Sequence, residues 1–242
     1  MLNIYQKTIK DSVSFEGIGL HTGLNTKVKI TPGASDQGIV FKRTDLKNNN
    51  FILANYKNVS SAKLCTTLQN EYGVKISTVE HLLAALYILE IDNAIIEVNN
   101  EELPIMDGSA KDFILEIEKV GTKKLSKKRK YLKILKKIQM IHGNKNISVE
   151  PDENSTFEVD FQLNYENKII GKQRNTINFC NDDLENVINS RTFCLFEDIE
   201  KIKKLGLAKG GSLDNAIVVD EDKVLNNEGL RNEKEFVNHK IL

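Results

Sequence analysis

The chain has 242 residues, 40% hydrophobic and 28% charged, enough for one large domain or two small ones with a real core. Its 34 Lys+Arg balance 34 Asp+Glu, so there is no basic excess of the kind that drives nonspecific nucleic-acid binding. No run approaches 18 apolar residues, so nothing is expected to span a membrane, and the opening MLNIYQKTIKDSV has no apolar stretch of a secretory leader.

Short strand patterns come first, at residues 27–30, 39–43, 64–69 and 94–99, each bounded by Gly, Asn or Asp. Residues 78–90 carry Val79, Leu82, Leu83, Leu86 and Leu89 at helical spacing. A second helix is expected from Ser109 and Asp112 to Gly121. The basic run KKLSKKRK, residues 123–130, reads as a solvated linker between domains 1–122 and 131–242. Strands are then expected at 131–141, 147–149, 157–163 and 176–179. Helices follow at 183–190 and 196–205, then a strand at 216–219. Strands followed by helices occur twice, which fits two α+β domains of similar build.

Cys65, Cys180 and Cys194 are odd in number and form no CxxC, which points to reduced thiols in a cytosolic protein. Residues 232–242 form an amphipathic helical pattern ending on Ile241 and Leu242, without a cap or polar tail; the expectation is a chain cut in mid-helix.

Four histidines could carry chemistry: His21, His81, His142 and His239. Ser77 followed by Glu80 spells a capping box, in which Glu80 would serve only to start the helix. A Glu beside a His in a first turn is also how a general base is held next to a metal-bound water. His21 lies in a Gly-bounded loop that reads equally as a tight hairpin or a site rim. Asp107 reads as a turn and helix-entry residue, His142 as a turn residue, and Gly210-Gly211-Ser212 as too short for a phosphate loop.

Several segments in order carry a resemblance: 17–23 (GIGLHTG), 43–46 (RTDL), 76–82 (ISTVEHL), 104–109 (PIMDGS), 191–193 (RTF), 210–212 (GGS) and 235–242 (EFVNHKIL). Together they resemble the UDP-3-O-acyl-N-acetylglucosamine deacetylases of Gram-negative bacteria, cytoplasmic zinc enzymes of lipid A synthesis. The resemblance implies an α+β fold of two similar domains, each a β-sheet layer with helices, packed as a β-α-α-β sandwich with the second domain incomplete. It implies an acyl-chain insert at about 194–222. His81 and His239 correspond to two Zn²⁺ ligands, Glu80 to the general base, and Thr192 to the oxyanion donor. Phe193, Lys240 and Cys65 correspond to substrate- and metal-site contacts, and Asp107 to a structural or active-site acid. The third ligand is an Asp four residues past His239, immediately after Leu242, and the family's general-acid His lies further on. The implied partner is the sugar-nucleotide substrate, and the implied state a monomer. For the 242 residues the expectation is a fragment with little or no activity, a sugar-nucleotide-binding remnant, or half of a split enzyme.

Overall fold

The computed structural model describes residues 4–154 and 156–242. Its first half is organised by period-2 burial. β1 (Tyr5–Ile9) and β2 (Val13–Ile18) precede β3 (Asn25–Pro32), in which Thr26, Val28 and Ile30 alternate inward. β4 (Ile39–Arg43), β5 (Phe51–Leu53), β6 (Val59–Ser61), β7 (Thr67–Gln69) and β8 (Lys75–Ile76) lead to helix α1 (Glu80–Ile88). β9 (Ala94–Val98), helix α2 (Lys111–Val120) and β10 (Thr122–Lys128) complete this half.

A five-stranded sheet runs β2-β3-β9-β4-β5, antiparallel except for the β4–β9 pair. Val28 faces Val98 and Ile30 faces Ile96 across the β3–β9 ladder. Against that face α1 sets Leu82 and Leu86, and α2 sets Phe113 and Ile117, all buried in one apolar cluster. Phe113 meets Phe15 edge-on, ring centroids 5.6 Å apart.

The run expected as a linker is instead β10 over residues 122–128, antiparallel to β1. Its lysines do not oppose this, because an edge strand uses only its backbone and leaves the side chains in water. Arg129 just beyond pairs with Asp92, Nε to Oδ1 at 2.6 Å.

β11 (Ile138–His142) and β12 (Lys145–Val149) form a solvent-exposed hairpin. The strand expected from residue 131 therefore starts at 138. Over 131–137 no neighbouring strand supplies a ladder among the described residues, and Leu132 is 91% exposed. β13 (Glu158–Asn164) and β14 (Lys172–Asn178) pair antiparallel. α3 (Glu185–Ile188), β15 (Phe193–Leu195), α4 (Phe196–Lys204), β16 (Ile217–Asp220), β17 (Lys223–Val224) and α5 (Glu235–Ile241) follow. β15 and β16 are parallel, joined through α4, so the 194–222 segment is a strand–helix–strand unit. Leu163, Val187, Ile217, Val219, Phe236, Val237 and Ile241 form a second buried cluster. The fold is α+β.

The second cluster is seated by a buried ion pair. Arg191 and Glu235 are 1% and 0% exposed, with Nε to Oε1 at 2.8 Å. Arg191 Nη2 also donates to Gly229 O at 2.8 Å, and Nη1 pairs with Glu228. Removing one member of a buried pair strands the other charge away from water. Glu235→Gln is therefore expected to cost about 3–5 kcal/mol in urea unfolding, whereas Glu228→Gln, whose carboxylate is largely exposed, should cost far less. Equal costs for the two would contradict this assignment.

Candidate active site

The entry into α1 departs from the capping box suggested by Ser77 and Glu80. Thr78 takes a left-handed φ of +57°, and the residue before the helix, Val79, caps nothing. The Ser77 hydroxyl instead donates to Glu101 O at 3.1 Å. Glu80 Oε2 instead accepts the Thr66 N–H at 3.0 Å. The reason is geometric: the turn at Thr78 rotates Ser77 off the helix axis, so neither side chain can reach the other's backbone. Glu80 is thereby left half-buried at the helix start, where burial pushes its carboxyl up against the opposing pull of the Thr66 N–H and Lys240.

His81, one residue on, is buried, and its Nδ1 has no hydrogen-bond partner. Its ring lies 5.2 Å from that of His239, edge to face. Burial pulls His81 down to about 4, against the Asp107 carboxylate. His239 is driven well below its ordinary value by burial and then by His81 and Lys240, so both imidazoles are neutral at pH 7. His239 Nδ1–H donates to the Ser190 carbonyl at 3.2 Å, which leaves Nε2 as the lone-pair nitrogen.

An amide chain fixes the helix that carries His239. Asn175 Nδ2 donates to Asn238 Oδ1 at 2.7 Å, and Asn238 Nδ2 donates to Asn232 Oδ1 at 3.1 Å. The next residue, Lys240, places Nζ 5.1 Å from the Phe193 ring centroid. Its ammonium is lowered by surrounding protein although the residue keeps exposed surface, and Glu80 pulls the other way.

Phe193 packs edge-on to Phe236 at 5.0 Å and faces His239 at 6.3 Å. Thr192 is pinned by its backbone: its N–H donates to Gly108 O at 2.8 Å, and its carbonyl accepts the Ile217 N–H at 2.8 Å. Among the described residues its hydroxyl has no hydrogen-bond partner. Cys65 lies on the Thr67–Thr78 side of Glu80, and burial pushes its thiol up. Asp107 Oδ1 accepts from the Ser109 N–H at 3.0 Å and hydroxyl at 2.7 Å, and Oδ2 accepts Arg231 Nη1 at 2.7 Å. Burial opposes its ionisation, but these bonds prevail and hold the carboxyl below its usual range.

The structure thus brings Glu80, His81, Thr192, Phe193, His239 and Lys240 to one junction, with Cys65 and Asp107 at its margin. His142 stays apart, ending β11. His21 is buried in the 17–23 loop with Nε2 unpartnered. Glu102 and Arg231 went unread in the sequence. A Glu101-Glu102 pair reads as solvated charge, and no sequence pattern singles out either Glu102 or Arg231. Among the described residues, no group of three His, Cys, Asp or Glu side chains is placed to hold a metal.

Comparison with known proteins identifies the family. The profile of the UDP-3-O-acyl N-acetylglycosamine deacetylase family matches residues 6–242. A UDP-3-O-acyl-N-acetylglucosamine deacetylase of Phenylobacterium zucineum is 40% identical over 99% of the chain and 82% of the relative. Those of Nautilia profundicola and Shewanella violacea are each 43% identical, over 98% and 99% of the chain and 80% and 78% of the relatives.

The two halves approach closely at Gly108, with φ of +86°. A Cβ there would lie 2.2 Å from Asn215 O and 3.5 Å from Thr192 Cγ2. Gly108→Ala must therefore push β15 and β16 away from the α2 entry. The expected cost is about 2–4 kcal/mol in urea unfolding; a change under about 0.5 kcal/mol would contradict the close approach.

Proposed function

Because the chain belongs to the UDP-3-O-acyl N-acetylglycosamine deacetylase family, we propose that it carries zinc-dependent hydrolysis of the N-acetyl group of UDP-3-O-acyl-N-acetylglucosamine. The products are UDP-3-O-acyl-glucosamine and acetate, the committed step of lipid A synthesis. The observation that carries this reading is the 5.2 Å approach of His81 and His239 beside the half-buried Glu80.

Zn²⁺ fits the residues present in part. The unpartnered Nδ1 of His81 and the fixed tautomer of His239 suit a metal, and these two residues would hold it. Catalytic zinc usually has three protein ligands, and only two converge among the described residues. When bound, zinc lowers the pKa of a coordinated water to about 7 and polarises the amide carbonyl.

The remaining steps belong to the protein. Glu80 takes the proton of the attacking water, helped by a carboxyl that burial has already made more basic. The free Thr192 hydroxyl donates to the developing oxyanion, a contact whose loss typically costs about 10²–10³ in rate. Phe193 and Lys240 line the substrate side, with the Lys240 ammonium available to the sugar nucleotide's phosphates. Cys65 lines the metal side. The strand–helix–strand unit at about 194–222 guides the acyl chain. Residues 1–122 and 131–242 are the proposed domains, supported by the two apolar clusters, which meet at Leu242. The three free thiols fit a reducing compartment such as the cytoplasm. No helix among the described residues is long and apolar enough to cross a membrane.

With two imidazoles to hold the metal, the 242 residues by themselves are expected to take up zinc weakly and turn over slowly. The same ligand count favours a second reading, sugar-nucleotide binding without catalysis, for which UDP would bind with no turnover at any zinc concentration. The deciding assay is acetate release from UDP-3-O-acyl-N-acetylglucosamine at rising Zn²⁺. Release should be zinc-dependent, abolished by chelation, and lowered about 10²–10⁴-fold by Glu80→Gln. Release indifferent to both would overturn the mechanism. Calorimetric Zn²⁺ titration should show binding lost in both His81→Ala and His239→Ala; binding retained in either variant removes that ligand from the site.

A further inference from the structure

Glu102 is fully buried, and no Lys or Arg pairs with it among the described residues. A carboxylate so placed is costly unless hydrogen bonds satisfy it. Four donors do so, two on each oxygen. Oε1 accepts the His21 N–H at 2.8 Å and the Thr78 hydroxyl at 2.9 Å. Oε2 accepts the Thr22 N–H at 2.7 Å and the Thr22 hydroxyl at 2.6 Å.

These donors belong to two different pieces of the molecule. Thr78 is the left-handed residue whose turn aims Glu80 and His81. His21 and Thr22 are the tip of the 17–23 loop, and that loop supports the turn before β16. Gly210 N–H donates to Leu20 O at 3.0 Å, and Lys209 N–H donates to His21 O at 3.3 Å. Gly19 has no room for a side chain, because a Cβ there would sit 2.5 Å from both Glu102 Oε2 and Thr22 Oγ1. The loop is therefore wrapped on the carboxylate rather than merely near it.

We propose that Glu102 is a positioning residue of this site: its two oxygens clamp the Thr78 turn, which aims Glu80 and His81, to the 17–23 loop, which supports the 208–210 turn. The inference rests on the deacetylase reading for its kinetic consequence but not for its structural one. Glu102→Gln keeps the size and removes the symmetry. The amide has one acceptor oxygen and one donor nitrogen, so whichever way it lies, either the His21 or the Thr22 N–H is left without an acceptor. A threonine hydroxyl can rotate to accept instead; a backbone N–H cannot.

The test compares wild type with Glu102→Gln and Thr78→Val by steady-state deacetylation, thermal unfolding and peptide-level hydrogen exchange. A misaimed Glu80 and His81 should lower kcat by about 10–100-fold in both variants, with KM changed by less than about threefold. Exchange should rise at least about tenfold in Glu102→Gln in the 17–23 and 77–83 peptides together, with α5 unchanged. A fall in Tm with wild-type kcat would overturn the proposal, since a residue that only stabilises the fold does not move kcat. If wild type releases no acetate, the deacetylase reading fails and exchange alone decides. Joint loosening of the two peptides then upholds the clamp, and wild-type protection in either one overturns it.

Discussion

The second half of the junction depends on one carboxylate, that of Glu235 at the start of α5. Its Oε1 accepts both the backbone N–H and the Nε of Arg191, at 3.1 and 2.8 Å, and its Oε2 accepts the Arg231 N–H at 2.6 Å. A negative charge at a helix N-terminus is also favoured by the helix dipole. One turn further along α5 is His239, whose ring is held by the carbonyl of Ser190, the residue preceding Arg191. Thr192 and Phe193 follow on the other side. The ion pair therefore sets the spacing between the segment that presents Thr192 and the helix that presents His239 and Lys240.

Burying such a pair is a poor route to stability, because desolvation consumes most of the Coulombic gain. Its value lies in direction: two charges with satisfied lone pairs admit one arrangement, whereas an apolar contact admits several. A bond across the junction does related work. Arg231, in the loop that Glu235 anchors, reaches Asp107 at the entry to α2, so α5 is tied to the half that carries His81. Gly108, beside Asp107, lets β15 and β16 approach closely enough for the two imidazoles to meet.

Much of the fold was legible because it follows burial periodicity. β4 lies at residues 39–43 as read, β3 and β9 lie within a residue or two of their expected bounds where apolar residues alternate, and α1 follows its leucine spacing. The failures have specific causes. A lysine-rich strand at a sheet edge has no apolar face to announce it, so residues 123–130 read as linker. Ser77 and Glu80 have the spacing of a capping box, but a backbone turn at Thr78, held by a residue 24 positions away in sequence, defeats it. The site itself was legible only through the ordered motifs, because nothing in the spacing of His81 and His239 says that they meet. Glu102 had no signature at all: its role comes from the loop folded around it.

Nitrogen-detected NMR of the histidine rings during Zn²⁺ titration tests the account most directly, because four imidazoles report separately on one chain. The His81 and His239 resonances should move together on zinc addition, the Nδ1 proton of His239 being retained, while His142 stays unmoved. Zinc shifts confined to His142 or His21, or none at any ring, would contradict a metal site at the junction.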